Sequence, residues 1–62
     1  MLKPNTIWID GFGSKVYLLY AKSNTIILGR NDSGVRLDYH IVNGRCPNMG
    51  VKFDLVRGYY ED

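Results

Sequence analysis

The feature that most constrains this chain is its punctuation. Seven Gly, five Asn and two Pro fall among 62 residues and cut the apolar residues into short runs. Runs of this length suit β-strands, because an amphipathic helix needs roughly ten or more uninterrupted residues to present one apolar stripe. The spacing predicts strands over 6–10, 15–21, 25–30, 35–42 and 51–56. Gly11-Phe12-Gly13-Ser14, Lys22-Ser23-Asn24 and Asn31-Asp32-Ser33-Gly34 are the intervening turns, since Asn, Asp, Ser and Gly bond their own backbone or tolerate left-handed conformations. Asn43-Gly44 is a tight-turn pair ahead of a loop over 46–50, and Arg57-Gly58 ends the last strand before Tyr59-Tyr60. A helix over 15–22 capped by Ser14 is the competing reading of the second segment. It spans only about two turns, and Val and Tyr favour a pleated surface. The expectation is all-β: a single domain over 1–62, built as a small five-stranded antiparallel meander, closed or half-closed into an SH3-like or OB-like barrel.

Alternation is clearest late in the chain. Val35, Leu37, Tyr39 and Ile41 alternate with Arg36, Asp38 and His40, and Val51, Phe53 and Leu55 alternate with Lys52 and Asp54. Each pattern describes a strand with one wet face. If these two strands pair antiparallel, Arg36 opposite Asp54 and Asp38 opposite Lys52 join unlike charges, so charge selects that register. The same alternation assigns Ile7, Ile9, Val16, Leu18, Tyr20, Val35, Leu37, Tyr39, Ile41, Val51, Phe53 and Leu55 to an inner face. That leaves Trp8, Tyr17, Leu19 and either Ile27 or the pair Ile26 and Leu28 facing outward. Strands that are apolar on both faces are normally covered on both. Here either the tails, including Leu2 and Tyr59-Tyr60, fold over the surplus, or it meets another chain.

Composition narrows the function. One cysteine (Cys46) and one histidine (His40) leave neither an intrachain disulfide nor a structural metal cluster to staple so small a chain. No apolar run reaches the roughly 18 residues of a membrane span, and the N-terminal residues lack a signal-peptide core, so a cytoplasmic location is expected. Four Lys and four Arg stand against five Asp and one Glu for a net charge of +2, with no two basic residues adjacent. A dedicated nucleic-acid grip would show local basic runs.

The chemistry of catalysis is thin. His40 lies on the wet side of an alternating strand, and the Asp residues match no metal-loop spacing. Arg45 beside Cys46 could lower a thiol pKa, the one hint of a reactive group. Gly11-Phe12-Gly13-Ser14-Lys15 has the wrong spacing for a phosphate loop and no helix after it. The expectation is a non-enzymatic module with no cofactor and no metal.

Leu28-Gly29-Arg30, then Asp32 to Leu37 and His40, is similar in part to the phosphothreonine-binding forkhead-associated family. That family's phosphate-site Ser has no counterpart here, because Asp38-Tyr39-His40 follows Leu37 directly, and the chain is short for its two-sheet sandwich. No residue role is carried over. The leading reading is protein–protein interaction through the first three strands and adjoining turns. Trp8, Phe12, Tyr17, Leu19, Tyr59 and Tyr60 would be the anchors, and Arg30 and Arg57 the rim. The partner is another protein chain, a second copy or a larger target, and a lone module of this size suits an accessory or inhibitory factor of viral or mobile-element type. The alternative is a single-stranded nucleic-acid-binding barrel that stacks bases on Trp8, Tyr17 and Phe12 beside the four Arg, opposed by the interleaved Asp residues.

Overall fold

Two turns of one design set the register of the sheet. In the computed structural model, which describes residues 1–59, the Asp10 amide donates to the Ser14 carbonyl and the Gly13 amide to the Asp10 carbonyl, both at 3.0 Å. The Asp10 carboxylate accepts from the amides of Phe12 and Ser14 at 2.9 Å. Gly13 sits at φ +84°, where a side chain would be strained. Opposing Asp10 to Ser14 places Ile9 against Lys15, Trp8 against Val16 and Ile7 against Tyr17, joining β1 (Ile7–Asp10) to β2 (Lys15–Ala21). Asn31 does the same for β3 (Ile26–Asn31) and β4 (Arg36–His40), pairing Arg30 with Arg36, Gly29 with Leu37 and Ile27 with Tyr39. Between these hairpins the Ser23 hydroxyl accepts from the amides of Thr25 and Ile26 and turns β2 into β3.

A short 3-10 turn, η1 (Val51–Phe53), precedes β5 (Leu55–Gly58), which pairs antiparallel with β1. The sheet order is β4-β3-β2-β1-β5. Bulges at Leu19 in β2 and at Val56 in β5 bend the strands, and the sheet curls into a half-barrel. The all-β expectation holds, the segment over 15–21 is strand rather than helix, and no helix of the described residues is long and apolar enough to cross a membrane.

The core lies inside the curl. Val16, Leu18, Ile27 and Tyr39 are 0–1% exposed, and Leu2, Ile41, Cys46 and Leu55 close around them with Trp8, Leu37 and Phe53 packed against the cluster. Full burial of each such side chain is worth roughly 1.5–3 kcal/mol. Gly29 sits at its centre: a Cβ there would lie 2.9 Å from both Tyr39 and Val16, so the core leaves no room for a side chain at that position.

Four sequence expectations are corrected. The inner face of β1 is Trp8, not Ile7 and Ile9, because cross-strand partners share a face and the Asp10 turn ties Trp8 to Val16. Tyr20 is 54% exposed, not inward, because the bulge at Leu19 shifts the register so that Tyr20 pairs with Leu28. Val35 closes the exposed second turn, and Val51 stands 81% exposed in the 3-10 turn, so neither joins the core. Finally, β4 and β5 do not pair. The His40 amide donates to the Arg45 carbonyl and the Leu2 amide to the Ile41 carbonyl, which occupies the end of β4, while η1 breaks the segment over 51–56 and β5 takes the free edge of β1. Arg36 therefore faces Arg30 rather than Asp54, and Asp38 pairs with Lys22 at 3.0 Å instead of Lys52.

The apolar surplus of the first strands is largely absorbed. Trp8 and Ile27 turn inward, while Ile9 and Leu28 are 6% and 9% exposed although they lie outside the main cluster. Of the tails invoked to cover it, Leu2 enters the core.

Candidate interaction surface

Two parts of the surface gather residues with the chemistry of recognition. The first is the end formed by the β1–β2 turn and η1. Gly11 approaches the Lys52 backbone so closely that a Cβ would lie 2.8 Å from its Cα and carbonyl oxygen. That approach sets the Phe12 ring edge-on to Phe53, centroids 5.0 Å apart at 78°. The Lys52 ammonium lies 5.8 Å from the Phe12 ring centre. Phe12 remains 56% exposed, and in the neighbouring segment Met49 and Val51 are 43% and 81% exposed. An aromatic edge pair of this kind is worth about 1 kcal/mol beyond its buried area, which holds Phe12 in one orientation.

The second is the outer face of the sheet. Directly opposed residues share a face, so one row runs Ile7, Tyr17, Arg30, Arg36 across β1 to β4. The Tyr59 amide donates to the Ile7 carbonyl at 2.9 Å and extends this row past β1. The adjacent row is Arg57, Ile9, Lys15. The Arg30 guanidinium carbon lies 5.3 Å from the Tyr17 ring centre and the Lys15 ammonium 4.2 Å from that of Tyr59. Its contact with Tyr59 holds the Lys15 pKa above the ordinary lysine value. Asp32 sits at the rim, accepting from the Lys15 amide at 3.1 Å and the Tyr17 hydroxyl at 3.4 Å.

Of the residues singled out from sequence, the fold brings Tyr17 and Arg30 into contact and sets Arg57 and Tyr59 on the same face. Phe12 belongs to the first surface, against Phe53 of η1. Trp8 faces inward, part-buried, its indole Nε1 donating to Thr6 Oγ1 at 3.0 Å. Leu19 is the half-buried bulge residue of β2. Tyr60 lies outside the described residues. Sequence reasoning missed Lys15, Lys52 and Phe53 as surface partners and took in Arg36 only as one of the four Arg of the nucleic-acid alternative. Lys15 and Arg36 were legible, because the turn that fixes each register also places them beside Ile9 and Arg30.

The remaining chemical candidates are occupied structurally. Cys46 is buried in the core, and burial first, then the Asp54 carboxylate, pushes its thiol pKa up; this is the reverse of activation by Arg45. Its amide donates to Asp54 Oδ1 at 2.8 Å. Burial likewise raises the Tyr39 hydroxyl. His40 shares the outer face with Ile26, its cross-strand partner, and with Asp38, whose carboxylate is paired with Lys22. Among the described residues no group of three or more His, Cys, Asp or Glu could hold a metal ion. Comparison with known proteins returns no match to a family model, a curated protein or a solved structure.

Proposed function

We propose that this chain is a non-enzymatic, cytoplasmic binding module that acts through protein–protein contact as an accessory or inhibitory factor, with Phe12 as its principal anchor. What supports the reading is that Phe12 is 56% exposed yet fixed, by the Asp10 turn behind it and by Phe53 beside it. Interface energy concentrates in a few aromatic anchors, and an anchor already immobilised loses little side-chain entropy on docking. Val51 and Met49 expose further apolar area in the segment that carries Phe53, and the Lys52 ammonium lies 5.8 Å from the Phe12 ring centre.

The test compares wild type, Phe12→Ala and Val51→Asp for partner retention on the immobilised chain, with solution mass across concentration reporting self-association. The reading expects retention or self-association to fall at least tenfold in both variants with β-sheet circular dichroism unchanged. Val51 is 81% exposed, so its substitution leaves the core alone. A monomer that retains the same proteins in all three forms sinks the idea.

A further inference from the structure

The outer face of the sheet carries a charge pattern the chain order conceals. Lys15, Arg30, Arg36 and Arg57 come from four different strands, and the register collects them into two adjacent rows. Neighbouring strands lie roughly 4.8 Å apart and successive same-face rows roughly 6.8 Å apart, so the cations form a band across the curled outer face, with Lys15 and Arg30 on neighbouring central strands and Arg36 and Arg57 on the two edge strands. Among the described residues none of the four forms an ion pair, the one salt bridge there being Lys22–Asp38. Among the described residues Asp10 is engaged by its own turn, Asp54 by the Cys46 amide and Asp38 by Lys22. Among the described carboxylates Asp32 touches the patch, accepting from the Lys15 amide and the Tyr17 hydroxyl, and Asp38 stands on the same face two residues beyond Arg36, paired with Lys22. Arg30 and Arg36 stand directly opposite one another, a like-charge pairing that destabilises a sheet by a few tenths of a kcal/mol. An anion laid across them would remove that repulsion.

Interleaved with the cations are two tyrosines, Tyr17 under Arg30 and Tyr59 under Lys15. Cations beside aromatic rings are the two components of single-strand recognition: the cations track phosphates, and rings or guanidinium planes take unpaired bases. An acidic peptide would use the charges and leave the rings idle, and a duplex keeps its base faces stacked away from them. We propose that the Tyr17–Arg30–Arg36 row, with Lys15 and Arg57, binds single-stranded nucleic acid. This site is additional to the Phe12 contact, and the two together would let the module bridge a nucleic acid and a protein.

Fluorescence anisotropy of a labelled oligothymidine of about 12 nucleotides, titrated with the full chain at several salt concentrations, tests it. The expected log–log salt slope is about −2 to −3, from about 0.7 per phosphate contact on a single strand. Arg30→Gln, Arg36→Gln and Lys15→Gln should each weaken binding about threefold or more and flatten the slope by about 0.7. Tyr17→Leu should weaken binding about tenfold with the slope unchanged, the signature of lost stacking. Lys3→Gln and Arg45→Gln lie off the face and should bind as wild type; oligonucleotide binding and partner retention are separate readouts, so failure here and failure of the Phe12 contact are distinguishable. The proposal is overturned by no binding at low salt, by equal losses in Lys3→Gln and Arg45→Gln, by a duplex of the same length binding as tightly, or by polyglutamate competing as well as the oligonucleotide.

Discussion

The turn from Asp10 to Ser14 and the turn from Asn31 to Val35 are built alike and used differently. In each, an Asx side chain accepts from the amides two and four residues on, at 2.9 Å in the first and 3.0 Å in the second. In each, the Asx amide and carbonyl close the loop, and a glycine at φ +84° or +83° ends it. Local sequence alone, Asx-x-x-Gly-x, accounts for all of this. The surroundings then separate them. Asp10 is 3% exposed, and Gly11 is pressed against the Lys52 backbone, whereas a Cβ on Gly34 would meet nothing within 4 Å. The first turn carries Phe12 into a fixed aromatic contact. The second carries Asp32, which reaches back to the Lys15 amide and ties one hairpin to the other. One local design thus yields a packed recognition end and a solvated brace, and the difference lies in what the rest of the chain brings up to it.

Substitutions can break that contrast. The largest effect is expected for Gly11→Ala, whose Cβ would overlap backbone rather than a movable side chain, costing about 2–3 kcal/mol by urea unfolding. Asp32→Ala, at the equivalent position of the second turn, removes only exposed hydrogen bonds and should cost under about 1 kcal/mol. Equal losses would show that η1 does not clamp the first turn. Next, Asp10→Ala should cost about 2 kcal/mol and Asn31→Ala about 1 kcal/mol, because Asp10 is buried and its two hydrogen bonds are part-buried, whereas those of Asn31 are exposed to water. Asp10→Asn, which keeps an acceptor, should recover most of the loss. The smallest difference is expected for Gly13→Ala against Gly34→Ala: each forces alanine into the left-handed region at about 1 kcal/mol, and the two should agree. A large gap would mean the turns are not locally equivalent.

Alkaline titration sharpens the same contrast, because the segment that clamps the first turn is anchored by Cys46. The folded thiol is raised above its ordinary value of 9.0, so the fold favours the neutral form. That contribution is fully present below pH 9 and is lost as the pH rises through the folded value. Tyr39, raised above 10.0, adds a second loss at higher pH. The urea midpoint should therefore hold level to about pH 9 and fall above it. In Cys46→Ala the fall should begin later, with the Tyr39 and Lys15 contributions remaining. A profile identical to wild type would remove Cys46 from the account.

Sequence alone determined the strand count, the turns and the all-β class, because those follow from local conformational preference: Gly and Asx at the reversals, alternation between them. It also contained the register of both hairpins, since a turn that pairs Asp10 with Ser14 necessarily sets Trp8 beside Val16; reading alternation strand by strand, without the turn, put Ile7 and Ile9 on the wrong face. Tertiary structure alone decided the rest. Whether β5 pairs with β4 or β1 depends on which edges the N-terminal arm and η1 leave open, and no local pattern encodes an edge left open by a distant segment. The bulge at Leu19 that turns Tyr20 outward arises where the sheet must bend to close over Gly29 and Tyr39. The gathering of Lys15, Arg30, Arg36 and Arg57 is likewise invisible in a chain with no basic run, because each comes from a different strand. Charges separated in sequence become one surface only when hydrogen bonds between backbones set the strands side by side.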